Sequence, residues 1–216
     1  MNKNRGILIL IFLFAIPLVW VFLWKKTEFG YENLPIYSGL EFGDTVVFTI
    51  DTFNLEDQRG LPFTRDSIGD KVYVANFFFA SCPDVCPEMN ANVKLLTDKF
   101  ERNTGVIFLS HTVDPENDTV KALRTYANDI GARDHQWHFL TGKKSEIYSL
   151  ASKSYRLVSV QKSETDFIHS EKLVLIDKDF RIRGYYEGRD FKDIQKLMDD
   201  IPFLIKEYKD NAKAKD

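Results

Sequence analysis

The chain has 216 residues, 44% hydrophobic and 28% charged, with 29 basic residues against 32 acidic ones. A formal charge of −3 supplies no basic field for displacing counterions from phosphates, which excludes nucleic-acid binding of the ordinary electrostatic kind. The 18 Phe, 9 Tyr and 3 Trp exclude a wholly disordered or collagen-like chain, and the length fits one globular domain with an appendage.

The first element is the uncharged run from Ile7 to Trp24, broken only by Pro17, which a membrane helix tolerates. Lys3 and Arg5 precede it, Lys25 and Lys26 follow it, and Trp20 and Trp24 fall where an interfacial aromatic belt belongs. The run predicts an N-terminal transmembrane helix, single-pass in the inner (cytoplasmic) membrane. With the α-amino group counted, the charge bias puts the body in the periplasm or an equivalent extracytoplasmic space. A cleaved signal peptide is disfavoured because the run exceeds a usual signal core and no small-x-small site follows it. A buried core helix is the remaining alternative. The expected division is 1–26 anchor, 27–43 linker, 44–208 folded domain and 209–216 polar tail.

Within the domain, Thr45 to Ile50 reads as a strand, and Lys71 to Phe79 as a central strand buried on both faces. A helix follows, with Pro87 at its first position and Met89, Val93, Leu95, Leu96 and Phe100 at helical spacing. Val106 to Leu109 is a second buried strand. Asp118 or Thr119 caps a helix that closes at Gly131. Trp137 to Leu140 predicts a strand and Ser145 to Ala151 a short helix. Lys172 to Ile176 and Arg181 to Tyr186 predict a hairpin, and Phe191 to Tyr208 a closing helix interrupted at Pro202. This alternation predicts an α/β fold, a mixed sheet flanked by helices on both faces.

Two cysteines cannot form a disulfide framework. Cys82 and Cys86 stand between a central strand and a helix, the functional edge of an open α/β sheet. A helix N-terminus favours thiolate, and i, i+4 spacing suits either a disulfide or joint coordination of one ion. A structural disulfide is the bland alternative. Two thiolates leave most metals incompletely ligated, so a third ligand is sought among His111, His135, His138 and His169. His111 reads as a satisfied, partly buried strand-end histidine. His135 and His138 flank Trp137 in a polar stretch and read as exposed or packed on its ring. His169 precedes a buried strand, where a loop could carry it to the cysteine edge; spacing alone leaves its role open.

The segments FFASCPDVCP at 78–87, VDPENDT at 113–119, WHFLTG at 137–142 and Ile168-His169-Ser170 before a strand ending at Asp177 resemble the Sco/SenC family of copper-binding, thioredoxin-like proteins. The resemblance spans about Leu40 to Leu204. It implies a thioredoxin-like fold, Cys82, Cys86 and His169 as copper ligands, and a role in maturing the copper centre of cytochrome c oxidase. Family members often have Thr in place of Ala80, Asp in place of Ile168 and a turn Gly in place of Phe180; none of these is a ligand. Soft thiolates suit Cu(I) and an imidazole lets the site hold Cu(II), while zinc fits the same ligand types, so copper rests on the resemblance.

Two functions remain in view. One is a copper chaperone, not a turnover enzyme, acting on the copper-bearing oxidase subunit or another copper or thiol carrier. The other is a thiol–disulfide oxidoreductase using the Cys82–Cys86 redox pair without a metal. A peroxide-reducing enzyme is disfavoured because no Arg or Thr flanks either cysteine closely.

Overall fold

The computed structural model describes residues 15–17, 19–20, 33–41, 44–81, 85–157 and 171–213. The chain divides into two units, Met1–Asn33 and Leu34–Asp216. In the first, residues 15–17 and 19–20 are helical. The rest of the expected anchor Ile7 to Trp24 lies outside the described residues, and among the described residues no helix is long and apolar enough to cross a membrane.

The second unit opens with a two-stranded hairpin, β1 (Ser38–Glu41) and β2 (Asp44–Val47). Strands β3 (Asn54–Asp57) and β4 (Pro62–Thr64) and helix α1 (Arg65–Ile68) follow. Then come β5 (Val72–Phe78), α2 (Val85–Lys99), β6 (Val106–Thr112), α3 (Val120–Asp129) and β7 (Trp137–Thr141). Helix α4 (Lys144–Ser149) passes into a π-helical turn, Leu150–Ser154, and the chain closes with β8 (Lys172–Ile176), β9 (Ile182–Glu187) and α5 (Phe191–Lys213). The main sheet has the order β4-β3-β7-β6-β5-β8-β9. β5, β6 and β7 run parallel at its centre, and β3, β4, β8 and β9 join antiparallel.

Every residue of β5 and β6 is buried because helices cover both faces of the sheet. On one face Val72, Val74 and Phe78 pack with Met89, Val93 and Leu96 of α2, Leu123 of α3 and Ile194, Leu197 and Ile201 of α5. On the other, Tyr73, Ala75 and Phe77 pack with Ile68, Ile147, Leu150 and Tyr155. The strand period of two divides these side chains between two cores, so a one-residue slip of β5 would exchange them.

Several elements depart from the sequence reading. Helix α5 runs unbroken through Pro202 to Lys213, beyond both the expected interruption and Tyr208. A proline inside a helix costs about 3 kcal/mol, but Ile201, Leu204 and Ile205 around it are buried, each contributing roughly 1.5–3 kcal/mol that a break would forfeit. β1 forms within the stretch read as a linker, pairing Ser38 with Val47 through Glu41 with Asp44. The β3–β4 hairpin gave no apolar run, because only Leu55, Asp57 and Phe63 of its seven residues are buried. The β8–β9 hairpin forms as expected. Phe180, where the resemblance implies a turn glycine, has φ +62°, a conformation that glycine adopts freely. It stays there with the Arg65 guanidinium 3.7 Å from its ring centre.

Arg183 of β9 is buried and joins three parts of the unit. Its Nη1 donates to Asp177 Oδ2 (3.1 Å), its Nη2 to Glu207 Oε2 of α5 (2.8 Å) and to the Leu34 carbonyl (2.6 Å), and its Nε to the Pro35 carbonyl (3.0 Å). The buried charge is therefore paired and its donors are used, the condition under which a buried guanidinium is tolerated.

Candidate metal centre

Cys82, His169 and the side chain of Cys86 lie outside the described residues, so the site is built from the elements that lead into and out of it. The backbone of Cys86 belongs to the first turn of α2, which starts at Val85 rather than at Pro87. In that turn the N–H groups have no intrahelical acceptor, so Pro87 forfeits nothing there, and the helix dipole favours a thiolate.

Upstream of Cys82, the Ala80 N–H donates to Asp118 Oδ2 at 3.0 Å, and Thr112 Oγ1 donates to the same oxygen at 2.5 Å. Asp118 is buried; desolvation raises its carboxyl above the usual carboxylate range, against the opposing hydrogen bonds from Thr112 and Ala80. Val113 N donates to the Phe78 carbonyl at 2.8 Å, extending the β5–β6 ladder to the edge of the sheet. Thr119, not Asp118, caps α3, accepting from Ala122 N, which leaves the Asp118 carboxylate for the loop.

Downstream of Cys86, a buried polar chain fixes α2 over the sheet. Trp137 Nε1 donates to Ser110 Oγ (2.9 Å), Ser110 Oγ to Asn76 Oδ1 (2.6 Å), Asn76 Nδ2 to Asn90 Oδ1 (3.4 Å) and Asn90 Nδ2 to the Tyr126 hydroxyl (2.6 Å). Sequence reasoning took Asp118 only as a candidate helix cap and passed over Asn76, Ser110 and Asn90. The signal was present in Asn76 and Ser110, polar residues inside otherwise apolar strand runs, where burial demands a partner.

The segment that leaves His169 returns beside α2. Glu171 accepts from the Gly188 N–H at 2.7 Å through its carbonyl. A Cβ at Gly188 would lie 2.7 Å from that carbonyl oxygen and 2.8 Å from Met89 Cγ, so only glycine permits this approach of backbone to helix. Arg189 spans the same gap, its Nε 2.7 Å from Glu88 Oε2 and its Nη1 3.5 Å from Glu171 Oε1. Asn92 Nδ2 also donates to the Gly188 carbonyl (2.8 Å).

The other histidines stand apart from this edge chemistry. His135 is exposed. His138 is buried and packs on Phe63 (centroids 4.7 Å), with Nδ1 3.6 Å from Asp57 Oδ2. His111 is not the satisfied, partly buried residue expected. It is fully buried, stacked on Phe77 at 4.8 Å, and neither ring nitrogen has a hydrogen-bond partner. Burial holds both His111 and His138 down at about 4, opposed for the first by the Asn76 backbone, which approaches without reaching hydrogen-bond geometry, and for the second by the Asp57 carboxylate. Among the described residues no three His, Cys, Asp or Glu side chains form a group that could hold a metal ion.

The SCO1/SenC family model matches residues 46–206, most of the chain. The chain belongs to the SCO1/SenC family. It is 30% identical over 166 residues to the SCO1 protein homolog of Bacillus subtilis, covering 76% of this chain and 86% of that protein. Among solved structures, BsSco, a Sco-family cytochrome c oxidase assembly protein studied for a disulfide switch, superposes with a TM-score of 0.65 at 28% identity, covering 74% of this chain and 95% of that one. Copper-bound ScoI of Arabidopsis thaliana superposes with a TM-score of 0.61 at 28% identity, covering 75% of this chain and all of that one. The SCO1/SenC unit thus has the thioredoxin-like α/β fold expected, with its mixed sheet between helices.

Proposed function

We propose that this SCO1/SenC chain is a membrane-anchored copper carrier for maturation of the copper centre of cytochrome c oxidase, binding copper through Cys82, Cys86 and His169. The observation that carries the reading is the Arg189 bridge. It joins Glu88 to Glu171, residues two positions beyond Cys86 and His169 in the sequence, and so supports an approach of the segments that carry the proposed ligands. Thiolates at a helix N-terminus select Cu(I), and an imidazole arriving from a separate segment adds the nitrogen that Cu(II) prefers. Copper bound to the Arabidopsis relative supports the metal over zinc. The run Ile7 to Trp24 supports a single inner-membrane span with the domain in the periplasm, and the partner is the copper-bearing oxidase subunit or another copper or thiol carrier.

The second reading, thiol–disulfide exchange by the Cys82–Cys86 pair, draws support from the first-turn position of Cys86 and from the disulfide switch studied in BsSco. Metal titration separates the two. Cys82→Ser or Cys86→Ser abolishes tight copper binding, while His169→Ala weakens Cu(II) binding far more than Cu(I) binding and leaves dithiol chemistry intact. Copper affinity unchanged in all three variants sinks the carrier reading and favours exchange alone.

A further inference from the structure

We infer that Asp118 is a positioning residue for the cysteine loop, a carboxylate that fixes where the chain leaves β5 and so sets the separation of Cys82 from Cys86. The inference deepens the copper-carrier reading and rests on that reading's pairing of the two cysteines.

The loop has two ends, and each is tied to a buried polar group. At the helical end, Asn90 stands one turn beyond Cys86 and is held through Asn76 and Tyr126. At the strand end the tie is Asp118 Oδ2, which takes the Ala80 N–H two residues before Cys82. That oxygen is fixed in turn. Thr112 Oγ1, at the last position of β6, donates to it, and the same hydroxyl accepts from Asp114 N at 3.0 Å. Asp118 N donates to the Asp114 carbonyl at 2.8 Å, and Asn117 Nδ2 to Asp114 Oδ2 at 2.8 Å, which closes the turn on itself. A carboxylate buried to this depth is costly unless it is satisfied, and here it spends one oxygen on a loop amide instead of capping the helix beside it. Thr119 performs that capping. A two-thiolate site gains affinity when its sulfurs are held at the bonding separation before the metal arrives, so the anchor at Ala80 acts on the site through Cys82.

The test uses the full chain in detergent, with Asp118→Ala compared against Thr119→Ala, which removes the neighbouring helix cap but not the loop contact. Thermal unfolding ranks the two for stability. Cu(I) affinity is measured by competition with a chromogenic chelator, and the dithiol–disulfide midpoint in glutathione buffers without metal. Asp118→Ala is expected to lower Cu(I) affinity at least tenfold and to shift the midpoint, whereas Thr119→Ala loses stability with both values unchanged. If folded Asp118→Ala keeps both parental values, or if Thr119→Ala reproduces both changes, the positioning role is overturned. Should Asp118→Ala not fold, Thr112→Val carries the test, with smaller losses in the same direction expected and unchanged values overturning the proposal. A parent chain that fails to bind Cu(I), together with a shifted midpoint in Asp118→Ala, upholds the positioning role and overturns the copper reading instead.

Discussion

Both ring nitrogens of His111 are buried without a hydrogen-bond partner, on the face of β6 that packs against Phe77 and Tyr155. Such a ring folds as the neutral form. An unfolded histidine titrates near 6.5, and burial depresses the folded value to about 4 for His111 and for His138. Below pH 6.5 the unfolded chain therefore binds protons that the folded chain refuses. Stability is complete above 6.5 and falls as pH drops towards 4, by about 3 kcal/mol for each ring over the whole window. Urea unfolding of His111→Leu at pH 7.5 and pH 5.0 should show roughly half the parental loss between the two. A variant with the full parental loss would mean that His111 does not contribute to acid sensitivity.

Helix α2 reaches its place through side chains that its apolar stripe does not contain. Asn90→Ala removes the acceptor of Asn76 Nδ2 and the donor to Tyr126, and should destabilise the domain by about 2–3 kcal/mol. Chemical denaturation measures the loss, and a change below about 0.5 kcal/mol would show that apolar packing alone holds the helix. In α5 the expectation runs the other way. Pro202 is exposed and withholds one backbone donor, so Pro202→Ala should stabilise by about 1–3 kcal/mol, read as a raised thermal midpoint. These two helices show what the sequence could express. The buried strands β5 and β6 were legible because burial on both faces leaves a near-continuous apolar run, and α2 because Met89, Val93 and Leu96 repeat at helical spacing. Leu95 fitted the same stripe yet is half exposed. The β3–β4 hairpin, the passage through Pro202 and the anchoring by Asp118 were not legible. Each depends on partners far away in the chain, as Ala80 does on Asp118 and Glu56 on Thr141. At the site, the cysteine pair could be read from its strand-to-helix context, whereas the return of Glu171 to α2 depends on Gly188 and Arg189, which carry no ligand signature of their own.

At the scale of the whole second unit, Arg183 ties β9 to α5, to Asp177 and to the entering chain at Leu34 and Pro35. Arg183→Met leaves Glu207 and two carbonyls without that donor and removes one of the two guanidinium partners of the buried Asp177, the other being Arg181. The expected loss is about 3–5 kcal/mol, measured by urea unfolding, and a loss under about 1 kcal/mol would show that hydrophobic packing alone closes the unit. The same contact limits how far the domain can stray. If Trp24 ended a bilayer span, the chain from Trp24 to Leu34, which Arg183 holds, would have a contour of at most about 36 Å. A domain anchored in that way would search a shallow layer above the bilayer for partners that diffuse in the same plane. Its encounters would then be governed by lateral crowding in the membrane rather than by its concentration in the surrounding fluid.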